Sequence, residues 1–237
     1  MKRLPLIARY SCIPAIALIC ISCLPSQAQQ RTNPAMQPVK DTPGLPRVLL
    51  IGDSISIGYT VAVREALRGK ANVHRPLTNC SSTKTGVAQM EKWLGDGKWD
   101  VIHFNFGLHD LKHVVGENAR LVAIETEGSH RQISIKDYER NLTKILGTLK
   151  QTGAKLIFCT TTPVPEGAKG RKPADAIHYN EVARGLMKEH SVEINDLYKF
   201  AIQRLEAIQR KRDVHFTSEG SKILAAEVAK QIEKRLP

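Results

Sequence analysis

The chain has 237 residues, enough for one domain with a full hydrophobic core. Its formal net charge is +12, but the basic residues are dispersed among Glu and Asp, clustering only at Lys169-Gly170-Arg171-Lys172 and Arg210-Lys211-Arg212. Aromatic residues make up 5% of the chain, too few for base-stacking platforms, so no nucleic-acid partner is expected, while an affinity for anionic glycans or envelope polymers stays open.

The first segment reads as a secretory signal. Lys2, Arg3 and Arg9 precede an apolar stretch from Cys12 to Leu24, and Ser26-Gln27-Ala28 places small residues where a signal peptidase cuts. Residues 1–28 are therefore expected to be removed, leaving a periplasmic or extracellular protein. The apolar core is short for a bilayer, so no integral span is expected after cleavage. The alternatives are an uncleaved anchor or lipidation at Cys23, for which Cys20-Ile21-Ser22 is a poor signal. Cys80 and Cys159 are the two cysteines that remain; they make no disulfide scaffold, and whether they pair is open. Residues 29–46, polar and holding Pro34, Pro38, Pro43 and Pro46, read as a flexible linker, and residues 47–237 as the one folded domain.

Within that domain short apolar runs alternate with helical patterns. Val48-Leu49-Leu50-Ile51 predicts a buried strand ending at Gly52, and Tyr59 to Arg68 a helix closed by Gly69. A second strand is predicted over 72–75, a helix over 87–94, and a third strand over 100–106 ended by Gly107. Lys112 to Ser134 carries no clear element, which marks a functional or mobile loop. Residues 135–149 predict an amphipathic helix with Tyr138, Leu142, Ile145 and Leu149 on one side. A strand over 155–160, a helix over 174–190, a strand over 192–194 and one helix over 196–208 follow. Thr217 caps a last helix bearing Leu224, Val228 and Ile232. This alternation means a parallel sheet covered on both faces, which places ligands at the C-terminal ends of its strands.

The residues after those strands carry the chemistry. Gly52-Asp53-Ser54 follows the first strand, Gly107-Leu108-His109-Asp110 the third, and Asp213-Val214-His215 precedes the final helix. A serine hydroxyl needs a base to take its proton, and His215 is suited to do so. Asp213 is the nearest acid to orient the imidazole. Ser54 at a strand-to-helix turn would present its N–H to a developing oxyanion. Each residue also has a structural reading: Ser54 as a helix N-cap, Asp53 as a hydrogen-bonding turn residue, Asp110 as a cap for the segment after the third strand, and Asp213 as a turn residue. His103, His109 and His113 lack the HExxH spacing and an acidic ligand set, so no metal is expected. Thr160-Thr161-Thr162-Pro163 reads equally as a pocket wall or a strand end. The absence of GxSxG, Walker A and GxGxxG motifs argues against an α/β-hydrolase elbow and nucleotide binding.

These three blocks, in this order over about residues 47–237, resemble the SGNH (GDSL-like) hydrolase superfamily. The local phrasing, including Trp99-Asp100-Val101-Ile102, is similar to its bacterial carbohydrate-esterase-like members. The resemblance implies a three-layer α/β/α sandwich, flavodoxin-like, with about five parallel strands. It implies Ser54 as nucleophile, His215 as base, Asp213 as acid, and an oxyanion hole of the Ser54 and Gly86 N–H groups with the side chain of His109, no cofactor being required. Two departures stand out: His109 replaces the family's Asn, and Arg212 occupies the usual place of the acid, three residues before the His. The implied activity is exported hydrolysis of short-chain, acetyl esters on carbohydrates. Its rivals are a lipid esterase or thioesterase, an O-acyltransferase on the same site, and a non-catalytic glycan-binding protein.

Overall fold

The computed structural model describes residues 33–116 and 120–237. In chain order, β1 (Arg47–Ile51) leads into α1 (Ser54–Ala66), followed by β2 (Asn72–His74), α2 (Thr83–Leu94) and β3 (Val101–Phe104). Three short strands come next, β4 (His113–Val115), β5 (Arg120–Leu121) and β6 (His130–Arg131), and then α3 (Ile135–Gln151). β7 (Lys155–Cys159), α4 (Pro173–Glu189), β8 (Glu193–Asn195), α5 (Leu197–Ile202), α6 (Leu205–Ile208) and α7 (Ser218–Glu233) complete the domain.

The main sheet has the order β2-β1-β3-β7-β8 with every pairing parallel. Val48, Leu49, Leu50 and Ile51 are all buried, without alternation, because helices cover both faces. α1 packs on α7 on one side, and α2, α3 and α4 pack in succession on the other. The stripe Tyr138, Leu142, Ile145, Leu146 and Leu149 joins α3 to the core. This is the three-layer, flavodoxin-like arrangement the sequence implied. The strand order reverses between β1 and β3, so a crevice opens beyond their C-terminal ends. Gly107 is required there: a Cβ on it would lie 1.9 Å from Thr161 Oγ1 at the end of β7.

Three features differ from the sequence reading, and a fourth, the state of the two cysteines, was left open by it. Residues 33–46 are held to the domain rather than free: Ala35 is buried, Arg64 donates to the Pro34 carbonyl, and the Asn72 amide both accepts from Thr42 N–H and donates to the Thr42 and Leu45 carbonyls. The segment 112–134 forms an antiparallel sheet of order β5-β4-β6, whose strands of two or three residues are too short to leave a periodic signal. The helix expected over 196–208 is two helices, interrupted at Gln203 and Arg204. Cys80 and Cys159 are both free and buried. The signal expected over 1–28 lies outside the described residues, and among the described residues no helix is long and apolar enough to cross a membrane.

Candidate active site

The turn after β1 starts the site. Asp53 is the N-cap of α1, its carboxylate accepting the Ile55 N–H at 2.9 Å, so Ser54 is the first helical residue instead of the cap. The Ser54 N–H has no hydrogen-bond partner among the described residues, as expected of a first-turn donor, and it points along the positive end of the helix. Ser54 Oγ lies 2.9 Å from His215 Nε2.

His215 is carried by a braced loop between α6 and α7. Arg210 N–H donates to the His215 carbonyl, Thr217 N–H donates to the Ile208 carbonyl, and the buried Gln209 amide donates to the carbonyls of Pro163 and Val214. His215 Nδ1 is 2.7 Å from Asp213 Oδ1, and the same oxygen accepts the His215 N–H at 3.1 Å. This is an Asx-type turn, which lets an acid two residues upstream reach both the backbone and the ring of one histidine. Burial acts to raise the Asp213 pKa, but the two hydrogen bonds from His215 and nearby positive charge outweigh it and hold the carboxyl below its ordinary value. With Asp213 accepting at Nδ1, the ring proton sits there and leaves Nε2 to accept from the Ser54 hydroxyl. Arg212 stands between the loop's supports with φ 56°, in the left-handed region.

His109 lies on the facing wall, after β3. It lines one pocket of about 530 Å³ together with Ser54, Asp213 and His215. Its Nδ1 is 3.2 Å from Ser81 Oγ, and its Nε2 has no protein partner among the described residues. Burial lowers the His109 pKa, opposed by Asp53 and reinforced by Lys112, Arg171 and His215. The ring is therefore neutral near pH 7; with Ser81 O–H donating to Nδ1, Nε2 carries the remaining proton and can donate it into the pocket. Ser54 and His215 also border a second depression of about 810 Å³ between α1 and α7, lined by apolar groups of Ile55, Val61, Ala62 and Phe216. The serine thus sits on a divide between a polar pocket and an apolar groove.

A Ser–His–Asp chain of hydrogen bonds at the switch point of a parallel sheet has the geometry for acyl transfer. The family model of the GDSL-like lipase/acylhydrolase family matches residues 50–223. The chain belongs to that family. It is accordingly a carboxylic ester hydrolase of the SGNH type. Its fold is similar to a lipase/acylhydrolase from Enterococcus faecalis (TM-score 0.66, 20% identity, covering 81% of this chain and 98% of that one). It is also similar to the acetyl xylan esterase AlAXEase (TM-score 0.63, 18% identity, 78% and 99% covered). A third similar structure is Axe2, an acetylxylan esterase from Geobacillus stearothermophilus (TM-score 0.63, 17% identity, 79% and 94% covered). No curated protein matches the sequence.

One residue of this GDSL-like esterase needs correction. Gly86 does not reach the pocket: its N–H donates to the Ser82 carbonyl at 2.9 Å inside α2, and its α-carbon faces Phe106 and Ile145, leaving no room for a Cβ. It is a packing glycine. Asp110 also plays a different part. Its Oδ1 accepts from the N–H and hydroxyl of Thr83, so it caps α2 across the loop, where the N-cap Ser82 makes no side-chain capping bond. Burial pushes its carboxyl up to about 7 against those hydrogen bonds. The Thr160–Pro163 run supports the site from below: the Thr161 hydroxyl donates to the Phe106 carbonyl and the Thr161 N–H donates to the Asn180 side-chain oxygen. His103 is a core residue in β3 beside the Asn195 amide, its ring driven down to about 3 by burial, and His113 faces Ser129. Among the described residues no His, Cys, Asp or Glu cluster has the arrangement of a metal site.

Sequence reasoning missed Arg75. Its guanidinium is buried under the nucleophile turn, donating to the Gly52, Pro76 and Thr78 carbonyls and the Ser56 and Thr60 hydroxyls. Nothing local signals this, because its partners lie on separate segments. Ser81, with φ 56° and its N–H on the Asn79 side chain, was also missed. The polar run Asn79-Cys80-Ser81-Ser82 before a helix was the available clue.

Proposed function

We propose that this GDSL-like hydrolase is an exported serine esterase that removes short acyl groups, foremost acetyl, from carbohydrates through an acyl-enzyme on Ser54. The observation that carries the reading is the hydrogen-bonded chain Ser54–His215–Asp213 opening on a polar pocket. Ser54 Oγ attacks the ester carbonyl as His215 Nε2 takes its proton, and Asp213 stabilises the resulting imidazolium. The Ser54 N–H and the neutral His109 ring supply hydrogen bonds to the oxyanion, each worth roughly 3 kcal/mol of barrier in sites of this kind. His215 then protonates the leaving alcohol, and water, activated by the same ring, releases the acid. The pocket, lined mainly by polar and charged residues, suits a sugar better than an alkyl chain, and the acetylxylan esterases among the similar folds favour the same substrate class. The basic, then apolar, then small-residue pattern over 1–28 supports export.

The test is hydrolysis of 4-nitrophenyl acetate by the purified protein and by Ser54→Ala and His215→Ala. Turnover lost in both variants fits the assignment; turnover retained in Ser54→Ala refutes it. The apolar groove between α1 and α7 favours a second reading, an esterase for longer acyl chains. A 4-nitrophenyl ester series from acetate to decanoate separates the two by where kcat/KM peaks.

A further inference from the structure

The pocket beside Ser54 has an unusual electrostatic lining. Lys112, Lys169, Arg171 and Arg212 all border it. Its acidic residues are Asp53, committed to the Ile55 N–H, and Asp213, committed to His215. Among the described residues none of the four cations has a carboxylate partner. Elsewhere on the molecule Arg47, Arg131, Arg140, Arg184 and Arg235 each pair with Asp or Glu. Four cations without a carboxylate partner among the described residues therefore border the pocket that holds Ser54 and His215.

Lys169 and Arg212 are exposed at the rim, while Lys112 and Arg171 are half-buried. Arg171 Nε donates to the Leu108 carbonyl at 2.9 Å, next to His109, which fixes the guanidinium on the oxyanion wall with both Nη groups lacking a protein partner among the described residues. The Arg212 side chain lies along Gly167, and its backbone is held at φ 56°, a conformation disfavoured for a residue with a Cβ. Lys112 is half-buried, and its own burial together with the charge of Arg171 lowers its pKa. Like charges crowded in a half-buried site repel, and an entering anion relieves that repulsion.

We propose that the substrate carries an anionic group on its alcohol part, a carboxylate or phosphate on the acylated sugar, seated by Arg171, Lys112 and Arg212 while Ser54 attacks the ester. The proposal rests on the esterase reading above. An acetyl group has no room for a charge of its own, so the anion belongs to the glycan, and guanidinium forks match carboxylate and phosphate oxygens. Each well-placed cation contributes roughly tenfold in affinity, weakened by added salt.

The test compares mono-O-acetylated glucuronic acid, mono-O-acetylated glucose 6-phosphate and mono-O-acetylated glucose at low salt, with the parent and with Lys112→Gln/Arg212→Gln. The expected result is a kcat/KM at least about tenfold higher for an anionic ester than for the neutral one, arising mainly in KM, with the ratio falling towards one in the double variant. Which anionic ester gains the advantage identifies carboxylate or phosphate. Equal turnover of anionic and neutral esters by the parent overturns the proposal. So does an unchanged ratio in the double variant, because cations serving the oxyanion alone would slow all three substrates alike. If no sugar ester is turned over, the carbohydrate-acetyl reading above fails, and calorimetry with Ser54→Ala decides the pocket's role separately. Binding of acetylated glucuronic acid or glucose phosphate but not acetylated glucose retains the anion site; binding of none, or of all alike, removes it.

Discussion

Asp110 makes stability depend on pH in a direction opposite to most carboxylates. It is fully buried, its Oδ1 takes both donors of Thr83, and its Oδ2 is sealed without a partner. Burial dominates and raises its pKa from 3.8 to about 7. In the unfolded chain the carboxyl ionises near 3.8, while in the native state it keeps its proton until about pH 7. Between these values unfolding releases a proton, so the stability Asp110 contributes is complete below 3.8 and is lost as pH rises through 7. At 1.36 kcal/mol per pH unit the whole window amounts to roughly 4 kcal/mol. For a domain of this size that corresponds to roughly 8–16 °C in Tm. Paired acids such as Asp213 contribute the opposite slope, so the comparison must be with Asp110→Asn, which keeps an oxygen for Thr83 and removes the titration. Urea unfolding of both proteins from pH 4.5 to 8 is the assay. The stability difference between parent and variant should change by about 3 kcal/mol in the variant's favour over that range, then level off. Parallel curves for the two proteins refute the argument.

Four further outcomes follow from the same geometry. Asp213→Asn keeps the shape but places an amide against His215 Nδ1, so kcat for 4-nitrophenyl acetate should fall by roughly 10²–10⁴ with KM little changed. His109→Asn retains a donor on the oxyanion wall and should keep much of the activity, whereas His109→Ala should lose roughly 10²-fold or more in kcat; equal losses in the two variants would remove the donor role. Arg75→Leu removes the guanidinium's five hydrogen bonds beneath the nucleophile turn and should cost about 3 kcal/mol or more in urea unfolding, together with activity, because that turn rests on the guanidinium. Gly86→Ala forces a methyl within 2.7 Å of Ile145 and 2.8 Å of Phe106, so it should lower stability by roughly 1–3 kcal/mol while the folded fraction keeps its kcat.

The main sheet and the placement of Ser54 and His215 were legible because both rest on local patterns. Apolar runs ending in glycine mark parallel strands, and a serine after the first of them has a fixed place relative to the switch point. Gly86 was not legible for a long-range reason. Whether its N–H faces the pocket depends on where α2 begins, and that start is set by Asp110, twenty-seven residues away, gripping Thr83. With the helix starting at Thr83, the amide of Gly86 is already spent on Ser82. The short strands of 112–134 and the docking of residues 33–46 escaped for a similar reason, since each is fixed by partners remote in sequence.

The acid of the site shows how one local change accounts for two features. Moving it to two residues before His215 would leave an extended chain with the carboxylate pointing away from the ring. Here the left-handed residue is Arg212, and the turn that follows folds Asp213 back so that one oxygen holds both the N–H and Nδ1 of His215. The same turn sends the Arg212 guanidinium along Gly167 and into the lining of the pocket. The position that holds an acid in the resembled pattern therefore carries a cation, and the acid is recovered one residue later. A shift that served catalysis alone would not need a charged side chain at the strained position, where glycine or asparagine adopts the conformation at less cost. An arginine there, bordering the pocket and free of any carboxylate among the described residues, fits the anionic substrate proposed above.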